Sequence, residues 1–188
     1  MGYHCLIEDG ITAQCNDLRK VGGVDKRFWL FNTDGLNRAI GTEGFTIGSG
    51  GHAEAIAFNS YGGLQLFVGK MNSHSAGVEL VNNPGANKFF KHTVTAKLFN
   101  SAPWDDVVLQ DMAVAHLGAI VETQNEEFYV YGPYNGLDVT AMVRNTGTDP
   151  TGDVSIQITM EGAEKILPLR FFKTSYAASL ALLVGYEV

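Results

Sequence analysis

Apolar and polar residues alternate most strictly in the last third of the chain. Val154, Ile156, Ile158 and Met160 interleave with Ser155, Gln157 and Thr159, which predicts a strand with one face buried and one in water. The same period of two runs through residues 92–98, where Val94, Ala96 and Leu98 oppose Thr93, Thr95 and Lys97. It returns over residues 137–143, where Leu137, Val139, Ala141 and Val143 alternate with Asp138, Thr140 and Met142. Other apolar runs show no period. Phe28-Trp29-Leu30-Phe31 is compact and aromatic and reads as a buried strand, and residues 128–131 read as another. Residues 64–68 also read as a strand. Residues 53–58 fit a strand or a helical turn equally well, because Ala and Glu favour the latter. Residues 167–172 and 178–184 complete the expected sheets.

One segment has a helical pattern. Ser101 is a good N-cap, Pro103 suits the first turn, and Asp105 and Asp106 face the positive helix end. Trp104, Val108, Met112, Ala115 and Ala119 recur at spacings of three and four, with Val107, Val114, Leu117 and Val121 on an adjacent face. The predicted helix covers residues 101–121. Its wide apolar arc asks for cover from its own sheet, packed through Trp104, Val108 and Met112, and from a neighbouring subunit. Between the periodic segments lie turn signals: Asn32-Thr33-Asp34-Gly35, the five glycines of residues 41–51, and Gly132-Pro133-Tyr134-Asn135-Gly136, where Asn135-Gly136 suits positive φ. Residues 1–24 read as an extended arm. Residues 72–91 read as a long loop, broken at most by a short element at 78–81, and long ordered loops often serve a partner. The expectation is one domain over residues 1–188. It is mainly β (α+β), with two packed antiparallel sheets or a partly closed barrel and one flanking helix.

Composition narrows the function. The 188 residues suffice for one ordinary core. Acidic residues outnumber basic ones 20 to 13, whereas a protein that grips phosphates shows a basic surplus. Cys5 and Cys15 are too few for a disulfide scaffold. The first residues lack the basic flank and apolar run of a secretory signal. Residues 176–184 are apolar over only about half the length of a membrane span. The expectation is synthesis and folding in a cytoplasm, with reduced thiols and no membrane partner.

No constellation for catalysis emerges. Gly48-Ser49-Gly50-Gly51-His52-Ala53 fits a loose dinucleotide pattern but lacks the surrounding alternation of strands and helices, so a glycine-rich hairpin is the simpler reading. His4, Cys5, Cys15 and His52 lack the short ligand spacing of a structural zinc site. His116 falls inside the predicted helix, and His74 and His92 flank a loop and a strand without a partnered nucleophile. Asp105, Asp106 and Asp111 are explained by the helix dipole. No cofactor, metal or catalytic residue is expected, and the chain is read as not an enzyme.

Three stretches carry a resemblance. The first is Cys5 to Leu36, in which Gly22-Gly23-Val24-Asp25-Lys26 precedes Phe28-Trp29-Leu30-Phe31-Asn32-Thr33-Asp34-Gly35-Leu36. The second is the predicted helix with Gly118-Ala119-Ile120-Val121-Glu122, then Phe128-Tyr129-Val130-Tyr131-Gly132 and Asn135-Gly136-Leu137. The third is Gly152-Asp153, Ile158-Thr159-Met160-Glu161-Gly162 and Glu164-Lys165. In this order they resemble the tail tube and related virion proteins of phages that infect Bacteroidetes-type bacteria. Residues 41–91 match nothing in that family. The resemblance implies a sandwich-like subunit that stacks in hexameric rings within a virion tail. Its partners would be copies of itself, other tail proteins, and DNA passing through the bore without sequence-specific binding. An acidic bore would let phosphates slide. A connector, decoration or adhesion module of the virion is the alternative. On this reading Asn72, Val78, Leu80, Asn87 and Phe89 of the long loop reach a neighbouring subunit.

Overall fold

The computed structural model describes residues 22–70, 72–82, 88–99, 105–146 and 154–188. Among these residues, eleven strands form two sheets. The large sheet contains β1 (Val24–Asn32), β2 (Phe45–Ile47), β3 (Ala53–Ile56), β4 (Gln65–Val68), β7 (Leu117–Thr123), β8 (Phe128–Tyr131) and β11 (Leu169–Phe171), in the order β2-β3-β11-β8-β7-β1-β4. The small sheet contains β5 (Ser75–Val81), β6 (Phe89–Leu98), β9 (Asp138–Thr146) and β10 (Val154–Glu164), in the order β5-β6-β10-β9. Helix α1 (Asp105–Met112) lies between β6 and β7, and α2 (Tyr176–Gly185) follows β11. The sheets are not closed into a barrel. All pairings between named strands are antiparallel except β11 with β3.

The two kinds of apolar pattern have a common explanation in the layers. One face of the large sheet (Phe28, Leu30, Leu117, Ala119 and Val121) packs on the inner face of the small sheet (Val94, Ala96, Ile156, Ile158 and Met160), with Leu109 and Met112 of α1 closing one end. The other face (Trp29, Phe31, Ile120, Phe128, Val130 and Phe171) packs beneath α2, whose Leu183 is fully buried. Strands β1 and β7 are therefore covered on both sides and read as unbroken apolar runs, whereas β6 and β10 are covered on one side and alternate. Burying each of these large side chains contributes about 1.5–3 kcal/mol before entropy costs. Gly118 pairs with Phe31 across β1 and β7, and the Phe31 ring occupies the space a side chain at 118 would take.

Several expectations need correction. The helix expected over residues 101–121 ends at Met112, and Leu117–Thr123 is strand β7. Pairing with both β1 and β8 in the core outweighs the local helical spacing. Residues 178–184, expected as a strand, belong to α2. Its start is set by Ser175, whose side chain accepts from the Ala178 amide at 3.2 Å, and by Ser179, which donates to the Ser175 carbonyl at 2.8 Å. The protein thus has two flanking helices among the described residues, not one. The long loop expected at 72–91 is largely a β5–β6 hairpin, paired from Ser75↔Thr95 to Val81↔Phe89. The extended arm expected over residues 1–24 lies outside the described residues as far as residue 21, and β1 begins at Val24. The glycine-rich segment is a β2–β3 hairpin, as its turn signals suggest.

The chain crosses between sheets four times, and two crossovers meet at one place. The segment Gly132-Pro133-Tyr134-Asn135-Gly136 carries the chain from β8 into β9; it is a step between sheets, not the simple reversal its turn signals suggest. Gly132 (φ 64°) and Gly136 (φ 85°) take the left-handed conformations that such a step requires. Residues 165–168 carry the chain back from β10 to β11.

Candidate assembly surfaces

The small sheet ends on both sides in a strand without a further neighbour among the described residues. These are β5 and β9, of seven and nine residues, so their open edges are about 23 and 30 Å long. The edges of the large sheet are shorter: β2 has three residues and β4 has four, and the chain end runs beside Leu64 just before β4 through a bridge to Glu187. A long open edge presents unpaired amides and carbonyls, and natural proteins cover or blunt it.

Both long edges carry apolar side chains in water. On β5, Val78 is 40% and Leu80 is 55% exposed; on β9, Met142 is 37% and Val143 is 51% exposed. Val78 and Leu80 pair with His92 and Phe90, so they continue the inner face of the small sheet beyond the part the large sheet covers. In β9, a register shift opposite Thr159 and Met160 interrupts the alternation. Val139, across from Met160, packs on the core, while Met142, across from Ile158, takes the inward position further along. The outer face of this sheet is mainly polar, with Val143, across from Gln157, as an exposed apolar exception. Alternation away from the core places Thr93, Thr95, Gln157 and Thr159 there, with Lys91, Lys97, Glu79 and Glu161. Lys91 and Glu161 pair at 2.9 Å. Asp138, across from Glu161, also lies on this face, so three acids stand against two lysines, a small acidic excess.

The residues expected to meet a neighbour fall partly on this edge. Val78 and Leu80 lie on β5 itself, and Phe89 opens β6 half-buried opposite Val81. Asn72 precedes β5 at φ 62° and accepts from the Gln124 side chain, which ties it to its own chain. Asn87 and Trp104 lie outside the described residues. On α1, Met112 is buried against the sheets as expected, and Leu109 is its buried companion. Val108 is 45% exposed and lines an apolar cavity of about 390 Å³ with Leu30, Phe67, Met112, Ala115 and Leu117, so it covers less of the sheet than expected. Asp106 is bound to Arg144 of β9, which joins α1 to the small sheet.

In comparisons with known proteins, no family model, no curated protein and no solved structure matches this chain. The functional reading therefore rests on geometry and on the resemblance.

The residues tested for chemistry are dispersed. His116 sits after α1, not within it, with Nδ1 at 2.7 Å from Asp138. His52 lies 3.6 Å from Glu54 and edge-on to Phe172. His74 is buried with its ring edge-on to Phe28, and its Nδ1 accepts from the Lys97 amide at 3.2 Å. Burial holds its pKa below the ordinary histidine value, against a hydrogen bond with the Lys26 backbone. His4, Cys5 and Cys15 lie outside the described residues. Among the described residues, no group of three or more His, Cys, Asp or Glu could hold a metal ion, and no helix is long and apolar enough to cross a membrane.

Sequence reasoning missed the buried polar groups. Glu122 is 2% exposed on the face beneath α2, where Arg27 donates to both its oxygens at 2.8 and 2.9 Å and the Tyr176 hydroxyl donates at 2.5 Å. The Trp29 indole donates to Glu187 at 2.8 Å. Glu164 and His92 are buried at the meeting point of the crossovers. Nothing in a single sequence separates these acids and this histidine from surface ones.

Proposed function

We propose that this chain is a self-assembling structural subunit of a phage virion, a tail tube protein whose copies join edge to edge through the small sheet. The observation that supports it best is the pair of long open edges, β5 and β9, bearing Val78, Leu80, Met142 and Val143 in water. Because the two edges differ, a β5-to-β9 contact is head-to-tail, and such contacts close into a ring when the rotation allows. A closed ring leaves no edge open.

The geometry gives a size. Six copies of a four-stranded sheet make a barrel of 24 strands. At a strand spacing of about 4.8 Å it is about 37 Å across with upright strands, and about 48 Å with a tilt of about 40°. The outer face of the small sheet then lines the bore, and the large sheet with α2 faces outward. The bore is mainly polar, with Glu79, Glu161 and Asp138 against Lys91 and Lys97, a small acidic excess in the direction expected from composition. DNA meets a hydroxyl- and amide-rich wall without a basic surplus to hold it. Other tail proteins cap the stacked rings, and the subunit is made in the host cytoplasm before entering the virion tail. On this reading the protein has no catalytic role.

Negative-stain imaging of concentrated purified protein tests this. Rings or tubes with a central channel of about 30–40 Å are expected once side chains are allowed for. Isolated particles of single-subunit size at every concentration would reject the proposal.

A further inference from the structure

The meeting point of the two crossovers contains a device that the assembly reading does not use. His92, on β6, is fully buried. Its Nδ1 accepts from the Gly132 amide at 3.2 Å, in the crossover from β8 to β9. Because an amide can only donate, Nδ1 is unprotonated and Nε2 carries the hydrogen. Nε2 donates to the Ile166 carbonyl at 2.9 Å, in the crossover from β10 to β11. One neutral imidazole thus ties two of the four connections between the sheets. Glu164, at the end of β10, holds the same crossover further along: its Oε1 accepts from the amides of Tyr134, Asn135 and Gly136 at 3.0, 2.9 and 3.3 Å. Its Oε2 is buried and has no hydrogen-bond partner among the described residues.

We propose that His92 is an acid-operated latch: neutral, it joins the two crossovers; protonated at Nδ1, it releases the Gly132 amide and donates instead to the unpartnered Oε2 of Glu164. The proton comes from solvent, and the imidazolium then donates from both nitrogens, with Ile166 keeping its bond. A buried acceptor already in the neighbourhood gives the charged form somewhere to go, while the Gly132 amide is left without its acceptor. The titratable groups facing His92 are Glu164 from β10 and Tyr131 from β8, whose ring is 5.6 Å away. β5 places Val78 and β10 places Gly162 opposite it. Tyr134 stands beside Glu164, with Glu43 near it and Arg38 donating to its carbonyl. Lys91 pairs with Glu161 on the other face.

Burial lowers the His92 pKa from the ordinary value, against the Ile166 hydrogen bond and the Glu164 charge. The latch therefore holds at neutral pH and opens below about 6.5. Hydrogen exchange followed by NMR from pH 7.5 to 5, corrected for the intrinsic rate, tests this in the full chain. Protection of the Gly132 amide should fall tenfold or more relative to the β7 amides, while the Tyr134–Gly136 amides keep their bonds to Glu164 Oε1. In His92→Gln, whose amide can accept from Gly132 and donate to Ile166 without titrating, that protection should not depend on pH. Equal pH dependence at Gly132 and in β7, or loosening of His92→Gln at the same pH as wild type, would overturn the proposal. The His92 ring nitrogens and the Gly132 amide of the wild type supply a readout that needs no variant. A shared titration midpoint supports the latch, and a Gly132 amide that does not move with the ring overturns it.

Discussion

Gly162→Ala should be among the most damaging single-methyl additions to this protein. A Cβ at Gly162 would stand 2.1 Å from the carbonyl oxygen of Gly136 and 3.1 Å from Leu137 Cδ2. The obstacle is backbone, and it cannot rotate away as a side-chain tip would. The crossover must retreat by about 1 Å to restore normal contact, which stretches the amide bonds from Tyr134, Asn135 and Gly136 to Glu164. Hydrogen bonds to a charged group contribute about 1.5–3 kcal/mol each, and weakening them while overpacking beside buried Leu137 costs about 2–4 kcal/mol together. The reduced freedom of the unfolded chain returns about 0.4–1 kcal/mol. A net loss of about 1–3.6 kcal/mol corresponds to a fall in Tm of about 2–14 °C for a chain of this size. Urea unfolding of the unassembled protein, followed by tryptophan fluorescence, measures it. A Gly162→Ala midpoint equal to or above wild type would refute the close approach of crossover and strand.

Other perturbations read different parts of the structure. Arg27→Leu leaves the Glu122 carboxylate buried with Tyr176 as its remaining partner, and should cost about 3–5 kcal/mol by chemical denaturation. Glu122→Gln in the same background should recover part of that loss. Gly118→Ala forces the Phe31 ring from a site closed by Phe45 and Phe58, and should destabilise by about 1–3 kcal/mol, with relief in a Phe31→Leu background. His74 is held neutral by burial, so the unfolded chain binds its proton more readily; stability is fully present above about pH 6.5 and falls as pH drops below it. His74→Gln should flatten that part of the pH profile in calorimetry.

Much of the architecture was legible where one face of a strand is covered. The alternation in residues 92–98 and 154–160 located β6 and β10, and the aromatic run at Phe28–Phe31 located β1. Beyond the aromatic run of β1, which is also covered on both faces, legibility failed where cover is complete or missing. Leu117–Val121 is buried on both faces, has no period, and joined the helical spacing of α1 by accident. Residues 177–185 contain no charged residue, so α2 looked like one more buried strand; the Ser175 cap was the available signal. β5 is exposed over most of its length, so neither face marked it as a strand. The open edges were invisible for another reason. An edge is defined by which strands pair over long distances, and no local pattern records that. The sequence presents Val78 and Leu80 as loop residues, and the sheet gives their exposure its meaning.

Sedimentation velocity over a wide concentration range, on wild type beside Val78→Lys with Leu80→Lys, tests the central claim most directly. Both residues are exposed on β5, so the double variant should fold and unfold like wild type. The account predicts large, concentration-dependent species for wild type and a single protomer for the variant. A wild type that sediments as one protomer throughout, or a variant that assembles as well as its parent, would contradict it.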